Sequence, residues 1–225
     1  MTIIYEDNHL IVVNKEPSEI VQGDKTGDIP LSETVKSYIK TKYNKPGEVF
    51  LGVVHRLDRP VSGLVVFAKT SKALSRMNEM LRNNELKKYY WAITCQQPHP
   101  TEAVLTHYIE KNEKLNKSFI VSDKSKNAKE ASLAYRLLSA SDRYFLVEIE
   151  LFTGRHHQIR TQLAHIGCPV KGDLKYGAPT SNKDASISLH ARKVSFTHPV
   201  KKEKLTLTAP PPNDPLWNFF LSNTN

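Results

Sequence analysis

Cysteine is scarce in this chain: Cys95 and Cys168 are the only two, far apart and in no C-x-x-C pair, which excludes a disulfide framework and a zinc ribbon. Long apolar runs are missing as well, and no segment approaches the roughly 20 residues of a membrane-spanning helix. The opening residues, MTIIYED, lack the basic patch and apolar stretch of a secretory leader, so the expectation is a cytoplasmic chain with no membrane partner. Acidic residues are in deficit, 23 against 32 Lys and Arg, for a formal charge of +9. A surplus of that sign favours a polyanion through phosphate neutralisation and counterion release. By itself it is weak, because many basic proteins bind no nucleic acid. With 225 residues, 39% of them hydrophobic, the chain has enough apolar surface for a sizeable core and reads as one domain over 1–225.

Apolar patterning points to mixed structure. Residues 3–5 and 10–13 around the polar turn Glu6, Asp7 and Asn8 predict an N-terminal hairpin. The stretch 17–30 reads as loop, and 32–39 as a helix with Ser32 as its N-cap. A strand over 64–69 precedes a helix over 71–81 with Leu74, Met77 and Leu81 on one face. Strands are expected at 89–94, 132–138 and 145–151, the last two alternating like a half-buried antiparallel sheet. Residues 157–165 fit a short helix ended by Gly167 and Pro169. The polar stretches 110–117 and 123–130 read as solvated loops or hairpin tips. Residues 209–215, APPPNDP, read as a stiff exposed segment before a terminal helical turn that docks on the body. Few helices and no βαβ spacing give an α+β fold on a mixed, largely antiparallel sheet with flanking helices.

One segment stands apart. Residues 55–63 read HRLDRPVSG and lead directly into LVVFA at 64–68. Asp58 sits between two arginines on a segment bent by Pro60 and Gly63 just before a strand. Cationic neighbours favour an ionised carboxylate, and a tight turn at a strand end suits a nucleophile or general base. The plainer reading is an Arg-Asp-Arg ion pair closing a turn.

The segment resembles the HRLDxxTSG signature of the RluA family of RNA pseudouridine synthases, in which the Asp is catalytic. Further blocks follow in order. KYYWAI at 88–93 is similar to the family's K-x-Y-x-A-hydrophobic strand, and FTGRHHQIRTQLAHIG at 152–167 to its TGRxHQIRxxLAxxG block. PVKGDLKYG at 169–177, LHA at 189–191, FTHP at 196–199 and the opening IYEDNHLIVVNK at 4–15 also match. The resemblance covers nearly the whole chain and implies the pseudouridine synthase fold, two sub-lobes with a central catalytic cleft. With the first hairpin at the N-terminus, it further implies a stand-alone catalytic domain without an N-terminal accessory RNA-binding domain.

By that resemblance Asp58 is the catalytic carboxylate, acting on the anomeric carbon, on the base, or by removing a proton to give a glycal; the residues do not choose among these routes. Arg160 holds the family's Gln-Ile-Arg position, where the arginine pairs with the catalytic Asp. Tyr90 matches the active-site tyrosine, with Tyr89 as the competing assignment. Arg56, two places before Asp58, matches the residue implicated in base extrusion, which fills the space a flipped uridine leaves; a structural partner for Asp58 is its other reading. His55, Arg155 and His157 join it as expected RNA contacts. The expected partner is ribosomal or transfer RNA, at a stem-loop, bound by a monomer, with no cofactor.

Two departures limit the carry-over. Val61 replaces the family's Thr, removing a hydroxyl beside the turn, and the variable position of the third block is His156. The doublet His156 and His157, near His165 and Asp173, raises a metal site, but there is no HExxH, and the two imidazoles are expected on different faces of any regular element, so no metal is expected. Alongside the isomerase stand an RNA-binding protein of the same fold without turnover and a metal-dependent hydrolase. The presence of Asp58, Tyr90 and Arg160 argues against the silent binder.

Overall fold

The N-terminal hairpin forms where the pattern placed it, between β1 (Thr2–Glu6) and β2 (Leu10–Lys15), paired antiparallel. Its turn is set by Asp7, whose Oδ1 accepts the amides of His9 and Leu10, both at 2.8 Å, an Asx-type turn. Every residue of β2 is buried, as a strand covered on both faces requires. The computed structural model describes residues 1–224, which divide into two units: Met1–Leu86 with Ala191–Pro210, and Lys87–His190 with the residues from Pro211 onward.

In the first unit the hairpin is followed by α1 (Leu31–Lys42), β3 (Gly52–Val53), β4 (Ser62–Ala68) and α2 (Ser71–Arg82). The second unit contains β5 (Lys87–Thr94), β6 (Glu102–Asn112), β7 (Lys117–Val121), β8 (Lys129–Ala140), β9 (Phe145–Leu151), α3 (Gln158–His165) and a 3-10 turn over Leu174–Tyr176. The chain then enters β10 (Leu189–Thr197), which ends in the first unit before β11 (Lys204–Thr208), and α4 (Pro215–Ser222) closes the second. Strand order is β1-β2-β4-β10-β11 in the first unit, with β3 also on β4, and β5-β9-β8-β6-β7 in the second. The strand pairings β1–β2, β2–β4 and β10–β11, and those of the second unit, are antiparallel. The α+β class read from the pattern therefore holds.

Each unit has its own core. In the first, Leu10, Val12, Leu64, Val66, Met77 and Phe196 pack together. α2 is capped by Thr70, whose hydroxyl accepts the Ala73 amide at 3.2 Å. Its buried stripe is Ala73, Met77 and Met80, with Leu74 and Leu81 only partly covered, so the helix is rotated slightly from the expected Leu74, Met77 and Leu81 face. In the second core Trp91, Ile93 and Leu146 receive Trp217 and Phe220 of α4, the expected docking. Asp214 caps that helix through the amides of Leu216 and Trp217, and Pro215 occupies its first turn.

Three expectations are corrected. Ser32 is not the cap of α1; Pro30 holds that position, and Ser32 is buried in the first turn. The proline-rich segment is not wholly exposed, since Ala209 and Pro211 are buried. Only residues 113–116 of the stretch 110–117 form a turn, because β6 runs to Asn112 and β7 starts at Lys117. β6 alternates between partly buried and exposed positions and carries Thr106, His107, Glu110 and Lys111, so its polar residues mask a strand wet on one face.

Two carboxylates tie the hairpin to its surroundings. Glu6 accepts from Tyr38 (3.0 Å), Lys42 (2.7 Å), Tyr43 (2.8 Å) and Lys69 (2.9 Å). Asp7 Oδ2 accepts from Tyr5 at 2.9 Å and lies 2.9 Å from His198 Nε2. His198 Nδ1 takes the amides of Val200 and Lys201, which leaves the Nε2 proton facing Asp7 and gives the FTHP block its reason. Burial raises the Glu6 carboxyl, but its four donors outweigh that and lower it to about 2. Asp7 is likewise raised by burial and more strongly lowered by its hydrogen bonds. A carboxylate depressed on folding contributes stability above its unfolded value and loses it as pH falls through the folded one. The melting temperature should therefore fall as pH drops from about 4.5, the ordinary Glu value, toward 2, and Glu6→Gln should flatten that fall in a calorimetric pH series.

Candidate active site

The Asp58 turn belongs to the first unit. The Val61 amide donates to the Asp58 carbonyl at 3.0 Å, closing residues 58–61 immediately before β4. Beneath it lies Lys15, 0% exposed. Its ammonium donates to the carbonyls of Glu16 (2.9 Å), Glu19 (2.8 Å) and Arg59 (3.1 Å), while the Ser18 amide also reaches the Arg59 carbonyl at 2.9 Å. One buried side chain thus joins the end of β2 to the turn that carries Asp58. Burial lowers Lys15 to about 8, opposed by the nearby Glu19 and Asp58 carboxylates, so at neutral pH it remains mostly protonated and brings positive charge to the turn.

Gly63 explains the glycine of the signature. Its φ is +115°, and a Cβ there would fall 2.5 Å from both the amide nitrogen and carbonyl oxygen of Ala191, so β10 approaches too closely for any side chain. Val61 is buried at 2% exposure, an environment that accepts its methyls and gives a hydroxyl no advantage. Arg59 turns to the 24–28 loop, with Nη1 2.7 Å from Asp28 and Nη2 3.5 Å from Asp24. Arg56 is exposed. His55 accepts the Val66 amide on Nε2 at 3.3 Å, which commits one ring nitrogen to the edge of β4.

Tyr90 and Arg160 stand on the second unit. Tyr90 lies on β5, 6% exposed, opposite Ile149 of β9. The period-2 alternation of a strand puts Lys88, Tyr90 and Ala92 on one face and Tyr89 on the other. Tyr89 is opposite Glu150, and burial followed by the charges of Glu150 and Glu148 raises its phenol. Lys88, half-buried, has its ammonium lowered by burial alone.

Arg160 is 5% exposed on α3. The helix is fastened to the sheet by Gln158 and Gln162, whose amides donate to the carbonyls of Ser132 (3.1 Å) and Ala131 (3.2 Å). The Arg160 fork closes on Asp173, Nε to Oδ2 at 2.6 Å and Nη2 to Oδ1 at 2.9 Å. The sequence offers Asp173 only as a candidate metal ligand; in the structure it is a bidentate partner of this arginine. The guanidinium also lies 5.0 Å from the centre of the Tyr176 ring, within cation–π range.

The His156 and His157 rings do not point to different faces. They stack, with centres 3.8 Å apart and planes at 22°, because His157 is left-handed at φ 52° just before α3 and the chain folds back there. His157 Nδ1 lies 2.9 Å from the Tyr176 hydroxyl. Burial first, then the charge of Arg160, lowers His157 to about 2, so it is neutral and offers no charge to a phosphate at physiological pH. Arg155 is exposed and donates through Nε to the Glu130 carbonyl at 2.7 Å. Among the described residues, no three His, Cys, Asp or Glu are grouped to hold a metal ion.

Sequence reasoning gave no role to Lys15, Lys88 or Tyr176. Lys15 had a signal, a lysine ending the apolar run LIVVNK, where a buried ammonium must find acceptors. Lys88 and Tyr176 were visible only as members of their blocks.

Residues 9–165 match the model of the RNA pseudouridylate synthase family. The chain is 30% identical to a ribosomal large subunit pseudouridine synthase C of Buchnera aphidicola over 92% of its own length and 66% of the relative's. It is 32% identical to a tRNA pseudouridine synthase C of Vibrio cholerae, covering 99% of this chain and 95% of that one. Among solved structures, human RNA pseudouridylate synthase domain containing 4 superposes with a TM-score of 0.80 at 26% identity, over 99% of this chain and 92% of that chain. The chain belongs to the RNA pseudouridylate synthase family, of the RluA type its blocks resemble. It spans about two-thirds of the length of the Buchnera relative.

The Lys15 clamp makes a direct prediction. Lys15→Met keeps most of the buried volume but removes the donor for the Glu16, Glu19 and Arg59 carbonyls, and it should cost about 3 kcal/mol in urea unfolding. A change under about 0.5 kcal/mol, the level of an ordinary surface substitution, would remove the clamp.

Proposed function

We propose that this chain isomerises uridine to pseudouridine in RNA, with Asp58 as the catalytic carboxylate. The observation that carries the reading is the held turn: Asp58 lies between the β4 strand end and a fully buried lysine that bonds the same turn, in a chain that belongs to this family. The reaction breaks the bond from uracil N1 to ribose C1′, turns the base, and joins C5 to C1′; C5 loses a proton and N1 gains one, with no net oxidation. Nothing in that balance requires a cofactor. Asp58 serves by one of the three routes open to a carboxylate. Tyr90 stacks on the uracil and its hydroxyl serves the proton at C5. Arg160, its fork held by Asp173, supplies the positive charge that keeps the catalytic carboxylate ionised in this reading, a task that needs the planar guanidinium because an ammonium cannot keep the bidentate hold.

The RNA is ribosomal or transfer RNA, in keeping with what the Buchnera and Vibrio relatives are named for. A stem-loop suits the site, since its uridine is extruded without opening a long duplex. Arg56, exposed beside the turn, fills the vacated space, with His55 next to it and Arg155 at a phosphate. His157 belongs to this group by position only, being neutral and bonded to Tyr176. The protein acts as a cytoplasmic monomer in this reading, supported by its two isolated cysteines and its +9 charge.

The alternative, an RNA-binding protein of the same fold without turnover, is disfavoured by Asp58, Tyr90 and Arg160 all being present. Tritium release from RNA labelled at uracil C5 separates the two. Asp58→Asn should lower release by at least about 10³ with RNA affinity retained. Arg160→Lys should lower it by about 10², and Tyr90→Phe should retain binding while slowing the C5 proton loss. Wild-type turnover by Asp58→Asn would sink the assignment.

A further inference from the structure

Arg160 is fixed from one short piece of chain. Asp173 precedes and Tyr176 ends the 3-10 turn over Leu174–Tyr176, closed by the Tyr176 amide donating to the Asp173 carbonyl at 3.0 Å. Asp173 supplies both carboxylate oxygens to the guanidinium, and Tyr176 supplies its ring at 5.0 Å. A guanidinium gripped edge-on by a carboxylate and lying near a ring loses most of its rotational freedom.

The Tyr176 hydroxyl is itself oriented, and by an element outside that turn. It accepts the Ser118 amide of β7 at 2.8 Å and lies 2.9 Å from His157 Nδ1. Burial and the neighbouring Arg160 keep His157 neutral, so the ring and the hydroxyl share one hydrogen bond whose donor is set by the imidazole tautomer. The Ser118 amide and the His157 ring thus both hold the tyrosine oxygen. Ser118 is held in turn: its hydroxyl donates to the His156 carbonyl at 2.8 Å and lies 2.8 Å from His156 Nδ1. His156, at the family's variable position, is thus the means by which the β6–β7 hairpin is fastened to the residues that precede α3.

We propose that Tyr176 is a positioning residue for Arg160, and that through its hydroxyl the β6–β7 hairpin sets how that guanidinium is held. The proposal rests on the reading that Arg160 serves the reaction. Tyr176 touches neither Asp58 nor substrate in this account; it acts through the arginine. The hairpin is then part of the catalytic unit, and Ser118 belongs to the same chain of effect, one step further from the guanidinium.

A double-mutant cycle with single-turnover kinetics tests it. Tyr176→Phe keeps the ring beside Arg160 and removes only the hydroxyl; the single-turnover rate should fall about tenfold while the dissociation constant for the RNA stays within about twofold. In an Arg160→Lys background the same change should add less than about twofold, because the group it acts through is gone. Ser118→Ala should show a smaller loss with the same dependence on Arg160. A tenfold loss in both backgrounds, a loss confined to RNA affinity, or no loss would overturn the proposal. An Arg160→Lys protein with the wild-type rate would instead defeat the underlying reading, and the two failures are distinct. Should Tyr176→Phe not fold by circular dichroism, the wild-type protein decides: the Arg160 Nε–H should give a sharp, slowly exchanging NMR signal at neutral pH, and a fast-exchanging one would remove the ordered guanidinium the proposal needs.

Discussion

A lysine ammonium with no exposure to water is the constraint on which the first unit's arrangement turns. Lys15 ends a strand whose every residue is buried, and its charge is tolerated because three backbone carbonyls converge on it. One of them belongs to Arg59, the residue after Asp58. The need to satisfy a buried cation therefore fixes the path of the loop after β2 and the turn before β4 together. Gly63 finishes the geometry by letting β10 pass within contact of the β4 backbone. The carboxylate stands on a turn that two independent requirements hold in place.

The second unit uses buried charge differently. Arg160 and Asp173 are 5% and 1% exposed, and a pair of that kind adds little stability over an apolar packing of equal volume. What it supplies is direction. The pair, the Tyr176 ring and the stacked imidazoles all converge on the start of α3, and the helix itself is held to the sheet through the amides of Gln158 and Gln162. Such a network costs stability when broken at any one member, and that cost keeps the guanidinium in one orientation.

Much of this could be read from residue order, and the reasons it could not elsewhere are physical. The buried strands β2 and β4 show as apolar runs, and α2 as a 3.6-residue stripe. The Asp58, Tyr90 and Arg160 blocks were recognisable because they combine residue types that packing alone does not demand. β6 was lost to its half-polar alternation, and β7 with it. Asp173 as the partner of Arg160 depends on a 3-10 turn with no periodic signal. The stacking of His156 on His157 depends on one left-handed residue, a conformation that a histidine does not announce. Lys15 shows only as a lysine ending an apolar run, and a lysine at a strand end ordinarily reaches water, so its burial is not written in that signal.

The central claim is that Asp58 on its held turn makes pseudouridine in cellular RNA. Carbodiimide-dependent reverse-transcription stops, mapped across total RNA from cells with the gene, without it, and without it but supplied with either wild-type or Asp58→Asn protein, test that claim at its substrate. At least one stop should vanish with the gene, return with the wild type and stay absent with Asp58→Asn. Identical maps in all four cells, or restoration by the Asp58→Asn protein, would contradict it.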